Sequence, residues 1–182
     1  MAEYGLPPEF PKEVEKAAKQ INTEITESEV ARRRDFRKIT TFTIDPHDAK
    51  DFDDALSIEK LENGNLSIGI HIADVSHYVK KGSPLDIEAN ERGNSVYFVG
   101  RVIPMLPEKL SNQICSLVPN EDRLTYSVIV EMTVRGKIID YSIEKTIIKS
   151  KRRFTYEEAQ KVIENGVGDL AEDILLLNKI AE

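Results

Sequence analysis

Apolar side chains recur at helical spacing near the start of the chain and change to the two-residue alternation of strands after about residue 40. Val14, Ala17, Ala18 and Ile21 lie three and four positions apart behind Pro11, a residue suited to a first helical turn, and predict a helix. Thr26 with Glu29 matches a capping box and predicts a second, short helix running into Arg32-Arg33-Arg34. Thr41 to Ile44 and Ala55 to Ile58 predict strands, and Asn63-Gly64, both tolerant of positive φ, predicts a hairpin turn. In the strand that follows, up to Ala73, Leu66, Ile68, Ile70 and Ile72 alternate and so share one face.

Ser83-Pro84 with Asp86 predicts a helix start and Gly93 its stop, placing a helix over Leu85 to Arg92. Val96 to Phe98 reads as a brief strand and Pro107 as the opening of another short helix. A long hairpin is predicted from Leu124 to Val134 and Lys137 to Ile148, turning at Arg135-Gly136. Thr155 with Glu158 caps a helix that Gly166 ends, and Asp169 begins a last one. The fold expected is α+β, a mixed and largely antiparallel sheet with flanking helices, with residues 1–38 as a helical lead-in and residues 39–182 as the domain proper. Neither an internal repeat nor a low-complexity segment interrupts the pattern.

The last helix carries Leu175, Leu176, Leu177 and Ile180 with no stop signal behind them. These side chains have no evident partner, and each forgoes roughly 1.5–3 kcal/mol if left in water. The expectation is a domain truncated at its C-terminus, whose exposed final helix either self-associates with another copy or is disordered.

Composition changes this picture little. With 182 residues, 40% hydrophobic and 31% charged, a packed core is affordable. No apolar run approaches the roughly 18 residues of a membrane span, and the acidic, proline-containing start is no signal peptide. The lone Cys115 leaves no internal disulfide framework and fits a reducing cytoplasm. A net charge of −7 argues at first against a nucleic-acid partner. Two basic runs weaken that argument: Arg32, Arg33, Arg34, Arg37 and Lys38, then Lys149, Lys151, Arg152 and Arg153. Each is either a solvated face or a contact to phosphates, and metal-binding carboxylates lower net charge without repelling RNA once a cation is bound.

The chemistry concentrates in Ile44-Asp45-Pro46-His47-Asp48-Ala49-Lys50-Asp51-Phe52-Asp53-Asp54-Ala55, directly after a predicted strand. Converging carboxylates cost Coulomb energy unless a cation joins them. Short aspartates suit the octahedral oxygen geometry of Mg²⁺, and no Cys or His cluster suits zinc. On an extended backbone Asp51 and Asp53 share a face and Asp54 takes the other, so convergence requires a bend, which Pro46 helps to impose. An EF-hand fails on spacing, because Ala55 and Leu56 stand where a ligand and a glycine are needed. The Asp-x-Asp-x-Thr pattern of aspartate-nucleophile phosphotransferases fails because Ala55 replaces the threonine.

The stretch from Thr43 to Ala55 resembles the catalytic signature of the ribonuclease II/ribonuclease R family, closest to the ribonuclease R branch. The resemblance continues through His71-Ile72-Ala73-Asp74-Val75-Ser76-His77-Tyr78-Val79, Gly82-Ser83-Pro84-Leu85-Asp86, Arg92 to Phe98, Ile103 to Pro107, Leu110-Ser111-Asn112 and Cys115-Ser116-Leu117. It covers most of residues 40–156, more weakly residues 5–20.

The resemblance implies the N-terminal half of the catalytic domain of a larger, processive 3′→5′ exoribonuclease. Such an enzyme hydrolyses single-stranded RNA to nucleoside 5′-monophosphates with Mg²⁺. It implies that Asp45, Asp51 and Asp54 hold the metal, that Asp53 is essential for cleavage through a second metal or the attacking water, and that Tyr97 stacks on the last nucleotides. It leaves Asp48 a turn-former or an outer neighbour of the site, as is His47. His71, His77 and Cys115 read as structural. The family's later phenylalanine, its downstream arginine and glutamate and its OB-fold domains have no counterpart in these residues, so this chain alone is expected to be inactive. The alternative from another class is a non-catalytic RNA-binding or scaffold relative that kept the fold. Such a relative is expected to lose metal aspartates, and all four stand here.

Overall fold

Side-chain caps start most of the helices. Ser83 accepts from the Asp86 backbone N–H and Thr155 from that of Glu158, whose carboxylate returns to the Thr155 N–H in a complete capping box. In the computed structural model, which describes residues 7–99 and 101–182, the chain runs α1 (Lys12–Gln20), α2 (Glu27–Val30), β1 (Arg34–Asp35), β2 (Thr41–Asp45), β3 (Asp54–Lys60) and β4 (Leu66–Ala73). It continues α3 (Val75–Tyr78), α4 (Pro84–Arg92), β5 (Val96–Phe98), β6 (Arg101–Ile103), a π-helical turn (Lys109–Ile114), β7 (Asp122–Met132), β8 (Ile138–Lys149), β9 (Arg152–Thr155), α5 (Tyr156–Asn165) and α6 (Ala171–Ala181).

Seven strands form one sheet in the order β1-β8-β7-β4-β3-β2-β9, parallel at the two outer pairs and antiparallel between, while β5 and β6 make a separate hairpin. The fold is thus α+β, with a largely antiparallel sheet. The segment read as a lead-in contributes to it directly. Val14 and Ala18 of α1 and Phe36 are buried in the main core, and β1 pairs with β8. In α2, Thr26 accepts from the Glu29 N–H as the capping box requires, but the Glu29 carboxylate turns to Arg33 instead of closing the box.

One face of the sheet, through Ala55, Ala73, Ile129 and Ile148, packs under α1, Leu85 of α4 and the π-helical turn. A polar seam crosses it. Ser57 Oγ lies 3.0 Å from His71 Nε2, His71 Nδ1 lies 2.7 Å from Ser127 Oγ, and the Thr146 hydroxyl bridges Ser127 and Thr125. Gly69 makes room for this seam, since a Cβ there meets Ser57 Oγ and His71 Nε2. Burial pushes the fully enclosed His71 down to about 4, so it folds neutral. The unfolded chain, with an ordinary histidine near 6.5, takes up the proton first as pH falls. Stability is therefore expected to drop by roughly 3 kcal/mol between pH 6.5 and 4 from this residue alone. Unfolding free energies across that window, set against His71→Asn, check this, and equal slopes in the two proteins refute it.

The opposite face meets α5 and α6 over part of its length, and here one expectation is corrected. Leu176, Leu177 and Ile180 are not without a partner: they pack on Ile58, Leu66, Ile68 and Met132, and Ile174 is buried among Phe42, Phe154 and Val162. An exposed apolar helix, the ground for expecting self-association or a disordered end, is absent because α6 lies with its apolar stripe on the sheet. The four alternating residues of β4 do share one face, as the sequence predicts, but α6 covers only part of it. Leu66 and Ile68 are covered, whereas Ile70 and Ile72 lie beyond α6 and are exposed, in a patch with Tyr126, Tyr141 and Ile143.

The basic runs also divide. The Arg33 side chain is fully buried, 2.6 Å from the equally enclosed Asp74 and bonded to the carbonyls of Thr125 and Thr146. Arg34 pairs with Glu144, and Arg37 with Asp35 and Asp122. No described helix is long and apolar enough to cross a membrane.

Candidate active site

β2 ends on Asp45 and β3 begins on Asp54, so the acidic loop of residues 46–53 spans two neighbouring strands with an aspartate at each root. Its bend is built by backbone and side-chain ties. The Ala49 N–H closes a turn on the Pro46 carbonyl at 3.1 Å. Ser116 Oγ accepts from the Phe52 N–H at 3.0 Å and donates to the Lys50 carbonyl at 2.9 Å, while the Leu117 N–H reaches the Phe52 carbonyl at 2.8 Å. From β9, Arg153 donates to the carbonyls of Pro46 and His47. The hydroxyl of Tyr97, on the β5–β6 hairpin, donates to Asp51 Oδ2 at 3.0 Å.

The loop therefore brings Asp45, Asp51, Asp53 and Asp54 within electrostatic reach of one another. Asp53 meets solvent, yet the protein packed around it, and then the charges of Asp51, Asp54 and Asp45, push its carboxyl up to about 6. Asp45 is buried, and burial first raises its carboxyl; the nearby Thr43 hydroxyl and then Arg153 pull it down, Asp54 and Asp51 push it up, and the net direction is upward. Its Oδ2 is enclosed with no hydrogen-bond partner. A buried carboxylate oxygen without a donor is costly, and a cation is the partner that satisfies several such oxygens together. Among the described residues, no three Asp, Glu, His or Cys side chains are drawn tightly enough to enclose an ion.

The RNB domain family model matches residues 33–182. The chain belongs to the RNB domain family. This RNB domain is 52% identical over 163 residues to ribonuclease R 1 of Lactococcus lactis, a match covering 90% of the chain and 20% of that protein. Against ribonuclease R of Thermotoga maritima it is 52% identical over 159 residues, covering 87% and 22%. In structure it superposes on Mycoplasma genitalium RNase R in complex with ribose-methylated single-stranded RNA at a TM-score of 0.92, 31% identity, covering all of this chain and 29% of that one. A yeast pseudonuclease shares the fold at a TM-score of 0.77 and 22% identity. The chain thus spans about a fifth of the length of these curated relatives.

Of the residues singled out from the sequence, the RNB domain gathers Asp45, Asp51, Asp53, Asp54 and Tyr97 around one loop, with Tyr97 65% exposed and its hydroxyl on Asp51. Asp48 and His47 lie exposed on the outer turn of that loop. His71 belongs to the sheet's polar seam, and His77 stands 3.6 Å from Glu29. The buried Cys115 thiol is pushed up to about 12 by burial first, which leaves it unreactive. Ser116 and Arg153 also build the loop, and neither carries a local signal in the sequence, because each meets the loop only through tertiary packing.

Proposed function

We propose that this RNB domain forms the metal-binding half of the active site of a processive 3′→5′ exoribonuclease that hydrolyses single-stranded RNA to nucleoside 5′-monophosphates. The carrying observation is the bent loop on which four aspartates share one electrostatic neighbourhood, with a buried Asp45 oxygen lacking a donor. That donor set, all short carboxylates, suits Mg²⁺. Asp45, Asp51 and Asp54 would hold it. The bound cation supplies acidified water near neutral pH and offset of phosphate charge in the transition state. Asp53, open to solvent beside them, aligns the attacking water. The exposed Tyr97 ring offers a face to any base, and its hydroxyl orients Asp51.

One relative supports RNA as the substrate: Mycoplasma genitalium RNase R has been solved in complex with ribose-methylated single-stranded RNA and with double-stranded RNA. Fold alone does not carry the activity, since a yeast pseudonuclease has it too. The complete aspartate set favours a nuclease over a scaffold relative. Function in the cytoplasm accords with the lone buried cysteine.

The test uses the full-length protein on RNA labelled at its 3′ or its 5′ end. The 3′ label is expected to appear at once as mononucleotide while the 5′-labelled species shortens. Removing the metal with EDTA is expected to abolish cleavage, and Mg²⁺ to restore it. Mid-length fragments appearing before mononucleotides refute the exonuclease assignment, and full activity in EDTA refutes the metal site.

A further inference from the structure

This inference rests on the reading of Asp45, Asp51 and Asp54 as cation ligands and concerns what holds them in place. β9 runs parallel to β2 with Arg153 opposite Thr43, which carries the guanidinium to the start of the acidic loop. There its Nη2 donates to the carbonyl oxygens of Pro46 and of His47, the latter at 3.0 Å. The guanidinium carbon also lies 5.4 Å from the centroid of the Phe52 ring, on the returning limb of the same loop. One side chain thus ties the limb that leaves Asp45 to the limb that enters Asp53.

Charge alone does not account for this placement. Lys149 and Arg152, from the same basic run, face carboxylates: Asp122 for the first, Glu158 and Asp169 for the second. Arg153 makes no such pair among the described residues, and its Nε is buried without a partner. A fixed positive charge this close to a cation site repels the cation. Both bonds leave one nitrogen, Nη2, whose two N–H groups lie in the plane of a guanidinium set over the Phe52 ring, a fixed geometry that a flexible ammonium does not hold. We propose that Arg153 is the positioning residue of the acidic loop, clamping Pro46 and His47 against Phe52 and thereby setting the spacing of the aspartates and their affinity for a divalent cation.

Arg153→Lys keeps the charge and loses the planar group over Phe52 that fixes where Nη2 points, so it separates geometry from electrostatics. In the full-length protein, with Mn²⁺ alone as the probe and free ion followed by electron paramagnetic resonance, this variant is expected to bind the ion about tenfold more weakly. RNA affinity in EDTA and KM are expected to stay unchanged while kcat falls. Absence of Mn²⁺ binding by the wild type overturns both the site reading and this inference. Wild-type Mn²⁺ affinity in Arg153→Lys, with or without a lower melting temperature, overturns the inference and leaves the site reading standing. So does weakened RNA binding with unchanged Mn²⁺ affinity, which makes Arg153 a phosphate contact. Should Arg153→Lys not fold, Phe52→Leu, which removes the ring beneath the guanidinium, is expected to weaken Mn²⁺ binding in the same direction, and unchanged affinity overturns the clamp.

Discussion

Asp53→Asn in the full-length protein is expected to lower RNA hydrolysis by about 10³-fold or more, close to 4 kcal/mol of transition-state stabilisation. The substitution keeps the size of the side chain and removes one of four like charges. Asp53 sits above the ordinary carboxylate range because of the protein around it and then Asp51, Asp54 and Asp45, so the fold is relieved rather than strained by losing its charge. The melting temperature without metal is expected to hold or rise. RNA affinity is expected to stay within a few-fold, since Tyr97 and the backbone ties of the loop are untouched. Single-turnover cleavage beside a binding isotherm decides the matter. Cleavage reduced less than tenfold, or lost together with binding, removes Asp53 from the reaction.

The second large effect concerns stability. Arg33→Met leaves the Asp74 carboxylate buried, facing only the Ser76 hydroxyl, the His77 N–H and Lys145 at 3.8 Å. Burial by itself raises Asp74, but Ser76 and Arg33 more than offset that and hold it below the usual carboxylate range. Breaking one partner of an enclosed pair typically costs about 3–5 kcal/mol, against a total of about 5–15 for a domain. Arg33 also bonds two carbonyls, on β7 and β8, so the loss is expected at the upper end. The double variant Arg33→Met with Asp74→Asn is expected to recover part of it, because no charge is then stranded. Denaturant unfolding of the four proteins of this cycle measures the coupling. Additive losses refute it.

These two residues mark where the sequence stops being legible. Ser83 with Gly93, Thr155 with Glu158 and Gly166, and the alternation through β4 are local signals, and the elements they predict are present. Which of three adjacent arginines turns inward is decided by Asp74, 41 residues away. Which half of the β4 apolar row is covered depends on where α6 comes to rest, and no property of Ile70 or Ile72 encodes that. The same holds at the loop. Its aspartates stand out by their crowding, and the family resemblance sorts them into roles. Arg153 meets Pro46 from 107 residues away, and in one dimension it is indistinguishable from its basic neighbours.

That distance has a consequence for how the molecule is made. β2 gains β3 as a neighbour soon after it is made, across one short loop, but its other edge waits for β9, Arg152–Thr155. At roughly 5–20 residues per second, the strand that ends in Asp45 stays open on one side for about 5–20 s. Open edges recruit other strands, and charge beside them is a common deterrent. Asp45 at the end of β2, with the aspartates of the loop behind it, sets like charge beside that open edge for the whole of the wait, a physical obstacle to pairing with another strand.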